Sequence, residues 1–346
     1  MKYIILKFTL VILFFNSCYK EYVIFDSEPN NLLELELILK INHKNCAYDH
    51  SANTLRYSIQ NNVYNNFEAF IEFQDYATVH FNGLLLKNNS MNNLGDIEIN
   101  KNYDLTINIK NTTYDLNIQF TNLPIIQIIT PNQIYDEPKV LARIIINYPD
   151  EIESEISSYI GIEYRGSSSL ANPKKSFSFS FLNSNRINDE FSKSIFNLPK
   201  NIHWGLDAMY FDPSRLRNKT SFEIWNQIEG ERNYGISSYF VELYINSNHQ
   251  GLYNLHEIIN GEFLGMSFNF DAVLYKAIDW DGPTFKTYSP NLSNNKYWNN
   301  WEQKFPEPED RINWGPVMNL TDLVVNQTDF NFNSQINFLM NIDNFI

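Results

Sequence analysis

The sequence predicts an α+β fold in two parts, a β-sandwich-like domain over residues 32–120 and a β-rich second domain over residues 121–346. The chain has 346 residues, of which 43% are hydrophobic and 15% aromatic, so it can bury two cores. Short apolar–polar alternations fill the first domain, which is typical of half-buried strands. The second domain adds one strongly helical segment to further strands.

The first eighteen residues have the pattern of a secretory signal peptide. Lys2 and Lys7 precede an apolar run over residues 8–15, which is too short to span a membrane. The run ends in Phe15-Asn16-Ser17-Cys18, which is similar to a relaxed bacterial lipobox. We therefore expect Cys18 to carry lipid and residues 19–31 to form a tether, with a plain signal peptide as the alternative.

Charge and cysteine usage restrict the partners. A net charge of −14 disfavours nucleic acids and anionic membrane surfaces. If Cys18 is lipidated, Cys46 is the single remaining cysteine and no intramolecular disulfide forms. His43, His50 and His80 lie far apart in the sequence, so we expect no metal site in the first domain.

The first domain is predicted to be a small β-sandwich of immunoglobulin-like type, serving as a spacer or adhesion module. Asn82-Gly83 and residues 88–95 are turn signals between its strands. Alternating runs indicate strands at residues 33–41, 97–99, 105–109 and 114–120.

The second domain is predicted to begin as a meander of antiparallel strands. Its strand-like runs are residues 123–129, 140–146, 158–165, 177–181, 239–245, 251–257 and 273–276. Asn246-Ser247-Asn248-His249 is a hairpin turn, residues 289–315 are predicted to be loop, and residues 321–338 are predicted to be helical in parts.

One segment has strong helical signals. Asp212 is a suitable N-cap, Pro213 fits the first helical position, and Gly230 fits just beyond the end. Three cations in the first half, Arg215, Arg217 and Lys219, oppose the helix dipole. They either pair with carboxylates of the strands or face an anionic ligand, and for Arg217 we favour the pairing. The predicted apolar side consists of Leu216, Thr220, Phe222, Ile224, Trp225 and Ile228.

The stretch from residue 164 to residue 181 has two possible interpretations. A strand ends at Arg165, a Gly/Ser turn follows, and Lys174 and Lys175 lead into a strand whose phenylalanines share one face. Free N–H groups and two lysines could hold phosphate oxygens. The same pattern also fits a hairpin with a polar turn.

Four motifs in order resemble those of the CotH kinase family. They are Tyr164-Arg-Gly-Ser-Ser-Ser with Pro173-Lys-Lys-Ser-Phe; Trp204 and Leu206 followed by Asp212, Ser214, Arg217 and Asn218; Val241-Glu-Leu-Tyr-Ile-Asn with Gly251-Leu-Tyr and Glu257; and Leu274-Tyr275-Lys276. The resemblance covers roughly residues 121–346 and rests on their shared order and spacing.

The resemblance implies an atypical, two-lobed kinase fold that uses ATP and Mg²⁺ to phosphorylate Ser or Thr of partner proteins. It implies that Lys175 or Lys174 holds the phosphates, that a turn from Arg165 covers them, and that Glu257 or Glu242 orients the lysine. Arg217 would brace the lobe. The cofactor-binding residues implied are Arg165, Gly166, Ser167, Ser168, Lys174, Lys175 and Glu257.

The chain departs from the family at its C-terminus. The catalytic aspartate and the metal-binding residues of the family are expected beyond Ile346, because Asp343-Asn344 fits the helix that precedes them. We therefore expect an incomplete kinase domain that does not transfer phosphate by itself, exported and anchored at the periplasm or cell surface of a bacterium. The alternative is a non-catalytic surface lipoprotein that binds a protein or a carbohydrate, which Trp298, Trp301 and Trp314 would suit, although for these tryptophans we favour packing in the core or loops over sugar binding.

Overall fold

The structure is a computed structural model that describes residues 39–149, 155–228, 235–267, 271–278, 285, 288 and 296–339. The predicted leader, Cys18, the tether and Asp343-Asn344 lie outside the described residues. The described chain is rich in β-structure, with a closed seven-stranded barrel and three α-helices.

The N-terminal unit consists of strands in two larger sheets and one two-stranded sheet. The strands are β1 (Lys40–Ile41), β2 (Lys44–Asn45), β3 (Ala47–Asp49), β4 (Thr54–Ser58), β5 (Val63–Tyr64), β6 (Glu68–Glu72), β7 (Ala77–Phe81), β8 (Leu84–Leu85), β9 (Ser90–Asn93), β10 (Ile97–Glu98), β11 (Asn102–Ile109) and β12 (Thr112–Thr121). The sheet orders are β2-β1-β6-β9, β3-β4-β12-β11-β7-β8 and β10-β5.

The two larger sheets share one buried core, as a sandwich requires. Ile41 and Ile71 come from one sheet, and Val79, Leu105 and Ile118 come from the other. The turn predicted at Asn82-Gly83 is confirmed, because both residues have positive φ, 46° and 79°, between β7 and β8. The immunoglobulin-like type and the boundaries of the domain remain predictions.

A closed barrel follows the N-terminal unit. Its strands are β13 (Ile125–Ile129), β14 (Val140–Asn147), β15 (Ile156–Arg165), β16 (Ser176–Leu182), β17 (His203–Asp207), β18 (Ser238–Ile245) and β19 (Asn248–Glu257). The order is β13-β14-β15-β16-β17-β19-β18, and parallel pairing of β13 with β18 closes it. The turn predicted between residues 246 and 249 connects β18 to β19.

Strand β16 shows how the sequence builds the barrel wall. Phe177, Phe179 and Phe181 belong to the barrel core, so the alternate serines face outward. Phe179 lies opposite Ile162 on β15 and Trp204 on β17, both of which are also in the core. This alternation gives the barrel an apolar interior and an outer face of small polar residues.

Helix α1 (Arg217–Gln227) begins later than the sequence predicted. Arg215 has a positive φ of 61° and donates hydrogen bonds to the carbonyls of Ala208 and Met209, so the chain makes a tight turn before the helix. Asp212 is not the N-cap; its carboxylate accepts hydrogen bonds from the N–H groups of Ser214 and Arg217 across that turn.

The apolar residues of α1 lie on the surface, although the sequence predicted an apolar packing face. Ile224 is 57% exposed, and no residue of α1 is buried. Gly230, the predicted residue beyond the end, lies outside the described residues. Asn218 and Lys219 of the helix donate hydrogen bonds to Asp207 and to the Ser238 carbonyl of the barrel, and the Phe222 ring lies 6.3 Å from that of His256.

The C-terminal part contains a small sheet and two helices. They are β20 (Leu274–Ala277), β21 (Tyr297–Trp298), β22 (Trp301–Phe305), α2 (Gly315–Asn326) and α3 (Asp329–Leu339). The prediction of loop over residues 289–315 was wrong where β21 and β22 form a hairpin. Trp298 and Trp314 are buried in a cluster of aromatic residues, so packing explains them. None of the helices in the described ranges has the length and hydropathy needed to cross a membrane.

Candidate functional site

Polar residues cluster on the outer face of the barrel, where β15, β16, β17 and β19 lie side by side. Arg165 lies opposite Ser176, Gly205 lies opposite His256, and Asp207 lies opposite Asn254. Opposite residues of an antiparallel pair share a face, so distant parts of the sequence meet here. The Gly/Ser turn and the two lysines predicted as a phosphate site adjoin the same end of the barrel.

The cationic corner is the set of Arg165, Gly166, Ser167, Ser168, Lys174 and Lys175. After Arg165 the chain turns at Gly166, whose φ of 137° suits glycine, and enters a single 3-10 turn over Ser168–Ala171. A Cβ at Gly166 would lie 2.0 Å from the Ser169 hydroxyl. Within the described part of the chain, the N–H groups of residues 166–168 donate to no other residue. Such N–H groups can bind an anion.

Both lysines of the corner donate to carbonyl oxygens. Lys174 Nζ lies 2.5 Å from Leu252 O and 4.1 Å from the centroid of the Tyr253 ring, and Lys175 Nζ donates to Leu170 O. Neither lysine forms an ion pair with a carboxylate of the described residues. Burial and the charge of Arg215 lower the pKa of Lys174 to about 8. The two lysines line a cavity of about 380 Å³, together with Tyr164, Phe177 and Gln250.

Arg165 and His256 form the buried half of the site. Arg165 Nη1 lies 2.7 Å from His256 Nε2, and because arginine only donates, Nε2 is the acceptor. His256 Nδ1 lies 2.7 Å from Glu257 O, so Nδ1 carries the proton and the ring is neutral. Burial and the neighbouring guanidinium lower the pKa of His256 to about 4. The pKa of Arg165 is also lowered by burial, which the charge of Asp207 opposes.

The structure does not bring Glu257 or Glu242 to the lysines. Glu257 is buried, its Oε2 accepts the Ser237 N–H at 3.0 Å, and burial raises its pKa. Glu242 pairs with Arg56 of the N-terminal unit at 2.8 Å. Among the described residues, no hydrogen bond or ion pair joins either glutamate to Lys174 or Lys175.

Arg217 does not pair with a carboxylate of the strands, as the sequence suggested. Its Nε lies 3.6 Å from Asp212 in the turn before α1, and its side chain is 76% exposed. Arg215, the neighbouring cation, is held by two carbonyls of the same turn. Arg215 and Arg217 are therefore held within this turn, whereas Lys219 donates to the Ser238 carbonyl of β18.

Asp207 is a site residue that the sequence interpretation missed. Its Oδ1 accepts the Met209 N–H at 2.9 Å and the Ser176 hydroxyl at 3.4 Å, and its Oδ2 accepts the Asn218 amide at 2.9 Å. Its charge also acts on Arg165 and Lys174. The signal in the sequence was a single acidic residue at the end of a buried strand, beside the Trp204 and Leu206 positions of the motif.

A second polar cluster lies further along the outer face. Lys139 Nζ is 2.8 Å from Glu190 Oε1 and 2.6 Å from the Ser180 hydroxyl, which lies 2.8 Å from His203 Nδ1. Burial and the charge of Lys139 lower the pKa of His203 to about 4. Within the described ranges, no group of three His, Cys, Asp or Glu side chains is arranged to hold a metal ion.

The comparison with protein families explains why these elements occur together. The family described as CotH kinase protein matches residues 162–346, which is more than half of the chain. The chain belongs to the CotH kinase family. The matched region begins on β15, so the CotH domain includes the cationic corner, Asp207, His256 and α1. No curated protein gives a significant match to the chain.

Membership of the CotH family confirms the resemblance drawn from the four motifs and indicates a kinase-like function. The roles of individual residues follow from neither the match nor the fold. For this CotH domain, the geometry gives a cationic corner with free N–H donors, backed by a neutral histidine and a single carboxylate. Such a corner can bind a multiply charged anion.

Proposed function

We propose that this CotH-family chain is an exported kinase-like protein whose cationic corner binds the phosphates of ATP, taken up with Mg²⁺. Its substrates would be Ser or Thr side chains of extracytoplasmic proteins. The observation that carries the proposal is the pairing of free backbone N–H groups with two lysines that donate only to carbonyls. Phosphate oxygens can replace such carbonyls as acceptors, and N–H groups and ammonium groups together are a common phosphate site.

The residues present fit the phosphates of a nucleotide. The cavity of about 380 Å³ that the lysines line is open to a charged ligand and has an aromatic side in Tyr164. When bound, ATP supplies the phosphoryl group, while the corner fixes the charge and orientation of its phosphates. We assign no magnesium ligand, because no suitable group of side chains occurs within the described ranges.

The test is calorimetric titration of the whole chain with ATP and Mg²⁺. We expect Lys174→Ala and Lys175→Ala each to weaken binding by about tenfold or more, because each removes a charge-assisted contact of roughly 1.5–3 kcal/mol. Lys200→Ala, at an exposed position outside the corner, is the control. Unchanged affinity in both lysine variants would reject the phosphate site.

Export and anchoring remain part of the proposal. They are supported by the basic residues Lys2 and Lys7, the apolar run that follows and Cys18 at its end. Expressed in a bacterial host, the wild-type protein should partition with membranes and carry a lipid mass at Cys18. A Cys18→Ser variant should lose both properties, and a wild-type protein without lipid would contradict the anchor.

The alternative of a non-catalytic binding protein makes a different prediction for the same titration. A carbohydrate platform is disfavoured because Trp298 and Trp314 are only 3% and 2% exposed. A protein-binding lipoprotein would show no saturable ATP binding, and its lysine variants would be indistinguishable from the wild type. The calorimetric titration with ATP therefore distinguishes the two functions.

A further inference from the structure

Asp207 is the carboxylate that lies among the cations of the site. Its two oxygens accept hydrogen bonds from three parts of the chain. The donors are Ser176 at the start of β16, Met209 after β17, and Asn218 in the first turn of α1. These three contacts fix both the position and the rotation of the carboxylate. A carboxylate held in this way is a rigid point of negative charge.

The charge of Asp207 acts on both sides of the cationic corner. It favours the charged form of Arg165, which burial disfavours, and it does the same for Lys174. Lys174 also feels the repulsion of Arg215, and the charge of Asp207 opposes that repulsion. The guanidinium of Arg165 is held from the other side by His256.

The two glutamates predicted for this task make no hydrogen bond or ion pair with either lysine in the described part of the chain. Glu257 is buried with its Oε2 on the Ser237 N–H, and burial favours its neutral form. Glu242 is bonded to Arg56 and Thr121 in the contact with the N-terminal unit. Neither of them can hold a lysine of the corner from these positions.

We propose that Asp207 is the positioning residue of the cationic corner. Its carboxylate joins Ser176, which lies opposite Arg165 and directly follows Lys175, to Asn218 of α1, and so fixes the corner for an anionic ligand. The inference rests on the proposed phosphate site. It assigns to Asp207 of β17 the orienting role that the family resemblance gave to Glu257 or Glu242. Asp207 itself is not expected to touch the ligand, since like charges repel.

The sign of the effect separates positioning from plain electrostatics. Asp207→Asn removes a negative charge beside the corner, so the potential alone would tighten the binding of an anion. If Asp207 positions the corner, the variant instead binds ATP and inorganic tripolyphosphate about tenfold more weakly, because a displaced cation loses its charge-assisted contact with the ligand. Glu223→Gln makes the same change of charge on α1, away from Arg165 and Lys174, and should leave both affinities unchanged.

A readout without ligand keeps the two proposals distinguishable. In the wild type, Lys174 titrates with a pKa of about 8, which NMR of its side-chain ¹³Cε can follow after assignment with Lys174→Met. Loss of Asp207 should lower that pKa, so the alkaline limit of tripolyphosphate binding should move to lower pH. Glu223→Gln should not move it. If the wild type fails to bind ATP and tripolyphosphate, the proposed function falls, and the Lys174 titration alone decides the role of Asp207.

A second variant covers the possibility that Asp207→Asn does not fold, which thermal unfolding will show. Asn218→Ala releases one oxygen of Asp207 from an exposed helix position and should fold. We expect it to weaken tripolyphosphate binding about threefold, a partial loss of the same contact. Wild-type or tighter binding in the folded Asp207→Asn variant, or an unmoved Lys174 pKa, overturns the positioning role. Should Asp207→Asn not fold, wild-type binding by Asn218→Ala overturns it.

Discussion

The Arg165 guanidinium donates a hydrogen bond of 2.7 Å to His256 Nε2, passing over Gly205 of β17, one of the two strands between them. An arginine needs an acceptor, so the pair requires a neutral imidazole whose other nitrogen carries the proton. The other nitrogen, Nδ1, donates a hydrogen bond to Glu257 O at 2.7 Å. The histidine is thus fixed in one tautomer by a buried cation.

Replacing His256 by phenylalanine should destabilise the barrel. Arg165 would lose its acceptor while staying partly buried, which costs about 2 kcal/mol for a charged donor. His256→Gln offers a hydrogen-bond acceptor of similar reach and should lose less stability. Urea unfolding followed by tryptophan fluorescence measures both variants. Equal losses in the two would mean that ring packing, rather than the hydrogen bond, is what His256 contributes.

The same histidine should make the barrel sensitive to mild acid. Its pKa is about 4 in the folded protein and near 6.5 when unfolded, so between these values only the unfolded chain takes up the proton. Stability therefore falls as the pH falls from 6.5 towards 4, by about 2 kcal/mol between pH 7.5 and pH 5 for this group. His203, with a pKa also near 4, adds to the loss in the same direction.

The pH effect is measured as the loss of unfolding free energy between pH 7.5 and pH 5, compared between the wild type and the variant. Urea unfolding at pH 7.5 and pH 5 should show a smaller loss in His256→Gln than in the wild type, whatever the absolute stability of the variant. His50→Gln is the control, because the His50 side chain is exposed and takes part in no ion pair of the described residues. If His256→Gln lost as much unfolding free energy between these pH values as the wild type, His256 would not be buried and neutral.

Gly205 should not tolerate alanine. A Cβ there would lie 2.5 Å from two atoms of the His256 ring and 2.8 Å from Arg165 Nη1, so both partners of the hydrogen bond would have to move. We expect a loss of about 1–3 kcal/mol, as for overpacking of a filled site. At Gly161 the nearest atom is Lys139 Cδ at 3.3 Å, at the flexible part of a side chain. Gly161→Ala should cost less, and thermal unfolding of the two variants compares them.

The local patterns of the sequence predicted the local structure well. The alternation of phenylalanine and serine in β16 predicted which side faces the core, and Asn82-Gly83 predicted its turn, because both depend on neighbouring residues alone. The surface position of the apolar side of α1 could not be predicted from periodicity. Periodicity gives an apolar side but not what lies beneath the helix, which here is the polar outer face of the barrel.

The site was predicted in part for the same reason. The cationic corner is one continuous stretch of sequence, and it could be named from its glycine, serines and lysines. Asp207 and His256 join it through the adjacency of β17 and β19, with α1 and β18 between them in the chain. The spacing of residues along the sequence does not show that these two strands are neighbours in the barrel. Glu257 has a suitable side chain but lies one residue beyond His256, on the side of the strand that Trp204 shares.

The contact between the N-terminal unit and the barrel gives a last prediction, because it buries an ion pair. Arg56 Nη1 lies 2.9 Å and 2.8 Å from the two oxygens of Glu242, whose side chain is only 6% exposed. Thr121 donates to the same carboxylate at 2.8 Å. Arg56→Ala would leave a buried carboxylate without its cation, which costs about 3–5 kcal/mol, whereas removing both partners together costs much less.

Fluorescence can show whether this contact makes the two parts unfold together. All six tryptophans follow Thr121, so the N-terminal unit contributes none to the signal. If the first domain were an independent spacer, Arg56→Ala would leave the tryptophan transition unchanged. We expect its urea midpoint to fall instead, because Glu242 belongs to β18 of the barrel, and to recover in the Arg56→Met/Glu242→Leu double variant. An unmoved midpoint would mean that the barrel folds without support from the N-terminal unit.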